Sequence, residues 1–317
     1  MSVEVCVGID VSEQFLDVAV RPGGERFRVA YDVEGLEALM KRLVPYAPAR
    51  IVVEATGKLE VPLVAAVQVA GLTPVVVNPR QVRDFARATG ELAKSDGIDA
   101  EILARFAEAI RPEARALPDE QMRALTELVT RRRQVQDMRV AEMHRLGRAV
   151  SREVRRRIER HIAFLDRELG TIDDGLRRQV EKTPAWQEDV DLYRTVPGIG
   201  RTLATAVLAD MPELGRLSGR QASKLAGVAP LADDSGRRRG RRRIWGGRHA
   251  VRRSLYLATI VAIRHNPPLR DVYQRLLSGG KPKKVAIVAC MRKLLVILNA
   301  MKRDGTPWTP ELAATRP

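Results

Sequence analysis

The chain has 317 residues, enough for two domains with real cores, and 45% of them are hydrophobic, which excludes a disordered chain. Its net charge of +16 is unevenly placed: residues 1–118 carry 14 Lys and Arg against 17 Asp and Glu, leaving 41 against 22 for the rest. A front with a slight acidic excess and a strongly basic back point to a metal-binding segment followed by one that holds a polyanion. No apolar run reaches the ~18 residues of a membrane span and no leader pattern precedes the first strand, so a cytoplasmic chain is expected. A basic membrane-surface protein is disfavoured, because neither a Lys-rich amphipathic helix nor a lipidation signal is present. Cys6 and Cys290 are the only cysteines and fall in apolar surroundings, which argues against a disulfide or a zinc site.

The front alternates strands and helices. Strands are expected over 3–11, 15–21 and 27–31, with Pro22-Gly23-Gly24-Glu25 as a turn. Leu36, Leu39, Met40 and Leu43 share a helix face, and Ile51-Val52-Val53 is a short buried strand. A helix over 59–70 stops at Gly71, a strand follows at 74–77, and helices cover 81–88 and 96–110. Three antiparallel strands, then helix, strand, helix, strand and helices is the order of a ribonuclease-H-like α/β fold, in which the first and fourth strands are neighbours. Asp10 and Glu54 are then close in space despite their separation in sequence.

From Asp119 to Lys182 there is no proline. Ile158, Ile162, Leu165, Leu169, Ile172 and Leu176 follow heptad spacing, and Met122, Leu125, Val129, Val135 and Met138 mark an earlier helix. Long antiparallel or intersubunit helices are expected here, either as a dimerising coiled coil or as a solvated spacer. The last segment is mainly helical and basic. Its Thr195-Val196-Pro197-Gly198-Ile199-Gly200 fits a helix-hairpin-helix turn, where Gly198 and Gly200 would let backbone N–H groups approach a phosphate; a plain helix connection is the other reading. The expected division is 1–112, 113–188 and 189–317.

Four carboxylates stand out: Asp10 and Glu54 at strand ends, and Asp96 and Asp99 in Lys94-Ser95-Asp96-Gly97-Ile98-Asp99 at a helix start. Each has an ordinary explanation, as a turn residue, a helix-leading charge or a cap. Gathered on one fold they suit Mg²⁺, which takes one or two carboxylates together with phosphate oxygens. In the basic segment, Ala229-Pro230-Leu231-Ala232-Asp233-Asp234-Ser235-Gly236 leads into Arg237, Arg238, Arg239, Arg241, Arg242 and Arg243, then Trp245 and Arg248. The arginines read as a loop gripping backbone phosphates. Ser235, set among guanidinium groups, is a candidate nucleophile. Trp245 either stacks on a base or packs.

With these residues in view, the chain resembles the DEDD transposases of insertion sequences, relatives of the Piv-type DNA invertases. Gly8-Ile9-Asp10-Val11-Ser12, Glu54-Ala55-Thr56-Gly57, the stretch from Val77 to Ala86 and Lys94 to Ala100 resemble the nuclease-domain motifs. Pro197-Gly198-Ile199-Gly200 and the stretch from Gly227 to Arg253 resemble the C-terminal transposase domain, and Gly97 stands where the family usually has Arg. The resemblance implies a RuvC-like domain, a helical coiled-coil segment and a mainly α transposase domain. It further implies a recombinase that joins a circular element to target DNA under the guidance of a structured RNA. Asp10, Glu54, Asp96 and Asp99 would hold Mg²⁺, and Ser235 would form a covalent link to DNA. The expected partners are element and target DNA, the guide RNA, and further copies of the chain as dimers assembling to a tetramer. The alternatives are a metal-dependent junction nuclease using water, or a non-catalytic nucleic-acid-binding protein. A phosphotransferase ATPase of the same core fold is disfavoured, because no Gly-Thr phosphate loop follows Asp10.

Overall fold

A computed structural model describes residues 4–91, 96–114, 119–232, 234–235, 240 and 242–314, without the side chains of Asp96, Ala313 and Ala314. The chain forms two compact units, Met1–Leu117 and Pro118–Pro317.

In the first unit, strands β1 (Cys6–Val11), β2 (Phe15–Arg21), β3 (Arg26–Ala30), β4 (Arg50–Glu54) and β5 (Pro74–Val77) form one sheet in the order β3-β2-β1-β4-β5. The first three are antiparallel, while β4 runs parallel to β1 and β5 parallel to β4. This is the ribonuclease-H-like arrangement expected from the element order, with β1 and β4 adjacent at the sheet centre. Alternation along each strand sends side chains to opposite faces. Val7, Ile9, Val11, Val18, Ile51 and Val53 pack with Leu39 and Leu43 of α1 (Val33–Leu43) and Leu63 and Val67 of α2 (Glu60–Val69). On the other face, Cys6, Val52, Val75 and Val77 pack with Val82 and Ala86 of α3 (Pro79–Ala88) and Leu103 and Phe106 of α4 (Asp96–Ile110). Helices on both faces explain why the interiors of β1 and β4, Val7-Gly8-Ile9 and Ile51-Val52-Val53, are continuously apolar and buried rather than alternating with polar residues.

The second unit is mostly helical. Helices α5 (Glu120–Arg148) and α6 (Arg152–Glu181) pack on each other as an antiparallel hairpin, cross-tied by Arg132 to Asp173 at 2.6 and 2.9 Å and by Arg139 to Asp166. The heptad residues Leu165, Leu169, Ile172 and Leu176 are buried within the chain, whereas Ile158 and Ile162 are half-buried. Leu125, Val129 and Val135 are buried with them, but Met138 is exposed. This hairpin shares one hydrophobic cluster with α7 (Pro184–Arg194), α8 (Arg201–Asp210), α9 (Gly219–Leu225), α10 (His249–His265), α11 (Pro267–Ser278) and α12 (Lys283–Asp304). A two-stranded hairpin of β6 (Pro230–Leu231) and β7 (Arg243–Ile244) precedes α10, and α13 (Pro310–Ala314) closes the chain. Cys6 and Cys290 are buried free thiols. Among the described residues, no helix is long and apolar enough to cross a membrane.

Candidate active site

Asp10 lies one residue before the end of β1. The parallel register pairs Ile9 with Val53, so Asp10 and Glu54 are the next residues along two neighbouring strands. Across the antiparallel edge Asp10 pairs with Asp17, whose carboxylate accepts two hydrogen bonds from Arg28 at 3.0 and 2.9 Å. Asp10 alternates to the same sheet face as Cys6 and Gly8, and α4 lies against that face. The approach is close because Gly8 has no side chain. A Cβ there would stand 2.2 Å from the Ala100 carbonyl oxygen and 2.3 Å from the Ala104 nitrogen, both α4 backbone atoms. Ala19, Ala100 and Ala104 complete this seam of small residues. Asp99 directly precedes Ala100, so the seam carries it to the sheet end that bears Asp10 and Glu54.

Asp10, Glu54 and Asp99 line one cleft of about 620 Å³. Its other wall is α3, which contributes Arg80, Arg83, Asp84 and Arg87. These arginines recur at intervals of three and four residues, the spacing of one helix face. Asn78 starts α3 immediately after β5, its side chain accepting the Arg80 N–H at 2.9 Å, and Pro79 occupies the first turn. The loop after Glu54 is pinned by Glu60, whose carboxylate accepts the N–H groups of Thr56 at 2.9 Å and Lys58 at 3.0 Å. The turn after β1 is closed by Ser12, whose hydroxyl donates to the Phe15 carbonyl at 2.8 Å and accepts its N–H at 3.1 Å. The strand-end carboxylates are therefore mounted on bonded turns. Sequence patterns identified the acidic residues; Arg80, Arg83 and Gly8 were legible only as parts of motifs, and Arg87 carried no motif signal, although its spacing from Arg80 and Arg83 is that of one helix face.

Asp96 opens α4 one helical turn before Asp99, with its side chain and all of Ser95 outside the described residues. Among the described residues no group of three or more His, Cys, Asp or Glu side chains stands close enough together to hold a metal ion. An open cleft lined by three carboxylates nevertheless fits Mg²⁺ in kind, because that ion keeps waters and substrate oxygens in its shell and uses few protein ligands.

The remaining sequence candidates belong to the second unit. Ser235 is exposed in the connection between β6 and β7, next to Asp234, whose carboxylate accepts the Gly240 N–H at 3.0 Å. Asp233, Gly236, Arg237, Arg238, Arg239 and Arg241 lie outside the described residues, while Arg242 and Arg243 are exposed. Arg248 differs from that run: its guanidinium is engaged internally, donating to Glu213 at 2.8 and 2.5 Å and to the Asp210 carbonyl at 2.6 Å. Gly198 has φ +95° and packs so tightly on α10 that a Cβ would lie 2.5 Å from the Ala262 Cα. Gly200 is the exposed N-cap of α8, with open space around it. Trp245 is 59% exposed.

Comparison with known proteins gives a consistent result. A family model for DEDD transposases of the IS110 type, described as a transposase, matches residues 7–153, and one described as the transposase IS116/IS110/IS902 family matches residues 190–274. The pilin gene-inverting protein of Moraxella bovis is 28% identical over 237 residues, covering 74% of this chain and 73% of the relative. The insertion element IS900 uncharacterized 42 kDa protein of Mycobacterium paratuberculosis is 30% identical over 171 residues, covering 52% and 41%. Among solved structures, T. thermophilus RuvC in complex with Holliday junction substrate aligns with 36% of this chain and all of its own, at 17% identity and a TM-score of 0.29. With family matches in both units, the chain belongs to the IS116/IS110/IS902 family of insertion-sequence transposases.

Proposed function

We propose that the chain is a Mg²⁺-dependent DNA recombinase that cuts and exchanges strands through a serine nucleophile under the guidance of a structured RNA. The observation that carries this reading is the convergence of Asp10, Glu54 and Asp99 on one cleft walled by Arg80, Arg83 and Arg87. Carboxylates facing guanidinium groups suit a phosphodiester: the arginines attract the phosphate, and the acids hold the cation it brings. Asp10, Glu54, Asp96 and Asp99 would hold Mg²⁺, which would supply positive charge at the scissile phosphate. The relatives' names, a gene-inverting protein and an insertion-element protein, speak for DNA rearrangement. The guide RNA and assembly into dimers and a tetramer rest on the family resemblance and on the basic excess of the second unit.

Ser235 is the nucleophile in this scheme. Its Oγ forms a bond to phosphorus as the bond from phosphorus to one deoxyribose oxygen breaks; the serine proton leaves to water and the departing oxygen gains one. Attack by the hydroxyl of the incoming strand reverses the step and frees the serine, so the ester energy is conserved between cutting and joining. An exposed position between β6 and β7 supports the role, since the hydroxyl is accessible to a strand. Arg242 and Arg243, with the preceding arginines, would hold the flanking phosphates, and Gly200 at the α8 N-terminus would present N–H groups to another.

Mass spectrometry of a trapped reaction tests the assignment. A nucleotide adduct on the peptide containing Ser235, absent from Ser235→Ala, is the expected result. Cleavage that persists in Ser235→Ala without any adduct would replace this scheme with a water-using nuclease.

A further inference from the structure

The second unit carries a cleft of about 930 Å³, of whose lining residues only Arg242 and Arg243 enter the proposed chemistry. It is bounded by the β6–β7 hairpin and by α10, α11 and α12. Six cations line it: Arg242, Arg243, Arg275, Lys284, Arg292 and Lys293, with no carboxylate among the described lining residues. Its apolar floor includes Ile244, Tyr256, Val285 and Val288, of which Tyr256 is 37% and Val285 53% exposed.

Five cations elsewhere in this unit make a contrast. Arg132, Arg133, Arg248, Arg253 and Lys302 each pair with an acid: Asp173, Asp210, Glu213, Asp137 and Asp189. None of Arg242, Arg243, Arg275, Lys284 and Arg292 has an ion pair among the described residues. The Arg292 Nε is buried without a hydrogen-bond partner. Burial, with Arg275 nearby, holds Lys293 below the usual lysine range. Like charges concentrated over a greasy floor repel one another, and an anion relieves that repulsion. A phosphate alone would leave the floor wetted, whereas a duplex keeps its bases stacked inside. An unpaired nucleotide satisfies both halves, with its base on Tyr256 and its phosphates on the rim.

We infer that this cleft binds an unstacked nucleotide of a single-stranded segment, with the base against Tyr256, Val285 and Val288 and the flanking phosphates held by Arg275, Lys284 and Arg292. The inference rests on the reading of the chain as a nucleic-acid recombinase, and it makes the cleft a station for looped or displaced strands. Single-stranded RNA and DNA share the required chemistry.

The test uses the full chain and fluorescence anisotropy with labelled single-stranded RNA, single-stranded DNA and duplex DNA of about 12 nucleotides. Tyr256→Ala is expected to weaken single-strand binding about tenfold and duplex binding by less than about twofold, while Tyr256→Phe retains both. Arg292→Gln should lower the salt slope for the single strand by about one. Loss on RNA alone or DNA alone supports the cleft and names the strand. Equal loss on single strand and duplex, or no loss on either, overturns the inference. So does Tyr256-dependent preference for an acidic peptide or for phosphatidylglycerol vesicles. A wild-type chain that binds no nucleic acid would sink the recombinase reading itself, which separates the two failures.

Discussion

Replacing Gly8 by Ala adds one methyl group to the strand that carries Asp10, and its effect can be worked from the packing. The new Cβ would lie 2.2 Å from the Ala100 carbonyl oxygen and 2.3 Å from the Ala104 nitrogen. Ordinary carbon contacts need ~3.5–4 Å, so the two elements must separate by roughly 1 Å. Both obstructing atoms are helix backbone, which no rotamer change can move aside. Overpacking of this kind costs about 1–3 kcal/mol. At about 2–8 °C per kcal/mol, depending on the size of the unfolding unit, thermal unfolding should drop by several degrees. The larger effect falls on the site. Asp99 rides on the displaced helix while Asp10 and Glu54 stay with the sheet, and a 1 Å misplacement costs on the order of a hundredfold in rate. Strand-cleavage rates and differential scanning calorimetry on Gly8→Ala measure the two effects together. Wild-type cleavage with an unchanged Tm would refute the claim that the Gly8 seam positions Asp99.

Gly97 makes the converse case: it lies in the first turn of α4, and a Cβ there meets nothing within 4 Å. Gly97→Ala should raise stability by about 0.5–1 kcal/mol in urea unfolding, because the helix interior disfavours glycine; destabilisation would show that the turn is tighter than described. Burial pushes the Cys290 thiol up to about 11, so its thiolate is scarce at neutral pH. Maleimide labelling of Cys290 in the native chain at pH 7 should therefore be slow and become rapid in denaturant, with fast native labelling contradicting the burial.

Much of the first unit is legible in the sequence. The limits of β2, β5 and α4 follow directly from apolar runs bounded by Pro, Gly and polar residues. The β1–β4 adjacency came from element order, and it is what brings Asp10 beside Glu54. The expected strand over 3–11 begins at Cys6 in the sheet, because pairing partners on β2 and β4 start there. Contacts between distant segments were harder to see. Heptad spacing in α6 announced a partner helix without naming it, and the partner proves to be α5 of the same chain. Arg248 looked like one more member of a phosphate-gripping run, yet it is paired with Glu213. Composition cannot distinguish a paired guanidinium from an unpaired one, since the difference lies in which carboxylates folding brings within reach. The cleft beside Tyr256 was hidden for the same reason: its cations come from β7, α11 and α12, separated along the chain.

Asp10→Asn tests the central claim most directly, because Asn keeps the size of the side chain and removes its charge at the strand end shared with Glu54. Cleavage of element-end DNA and binding of the same DNA are measured side by side in Mg²⁺. The account predicts that cleavage is lost by a factor of at least about a thousand while affinity is unchanged or slightly raised, since one repulsive charge has gone from a phosphate site. Cleavage within about tenfold of wild type would contradict it and remove the acidic cleft from the chemistry.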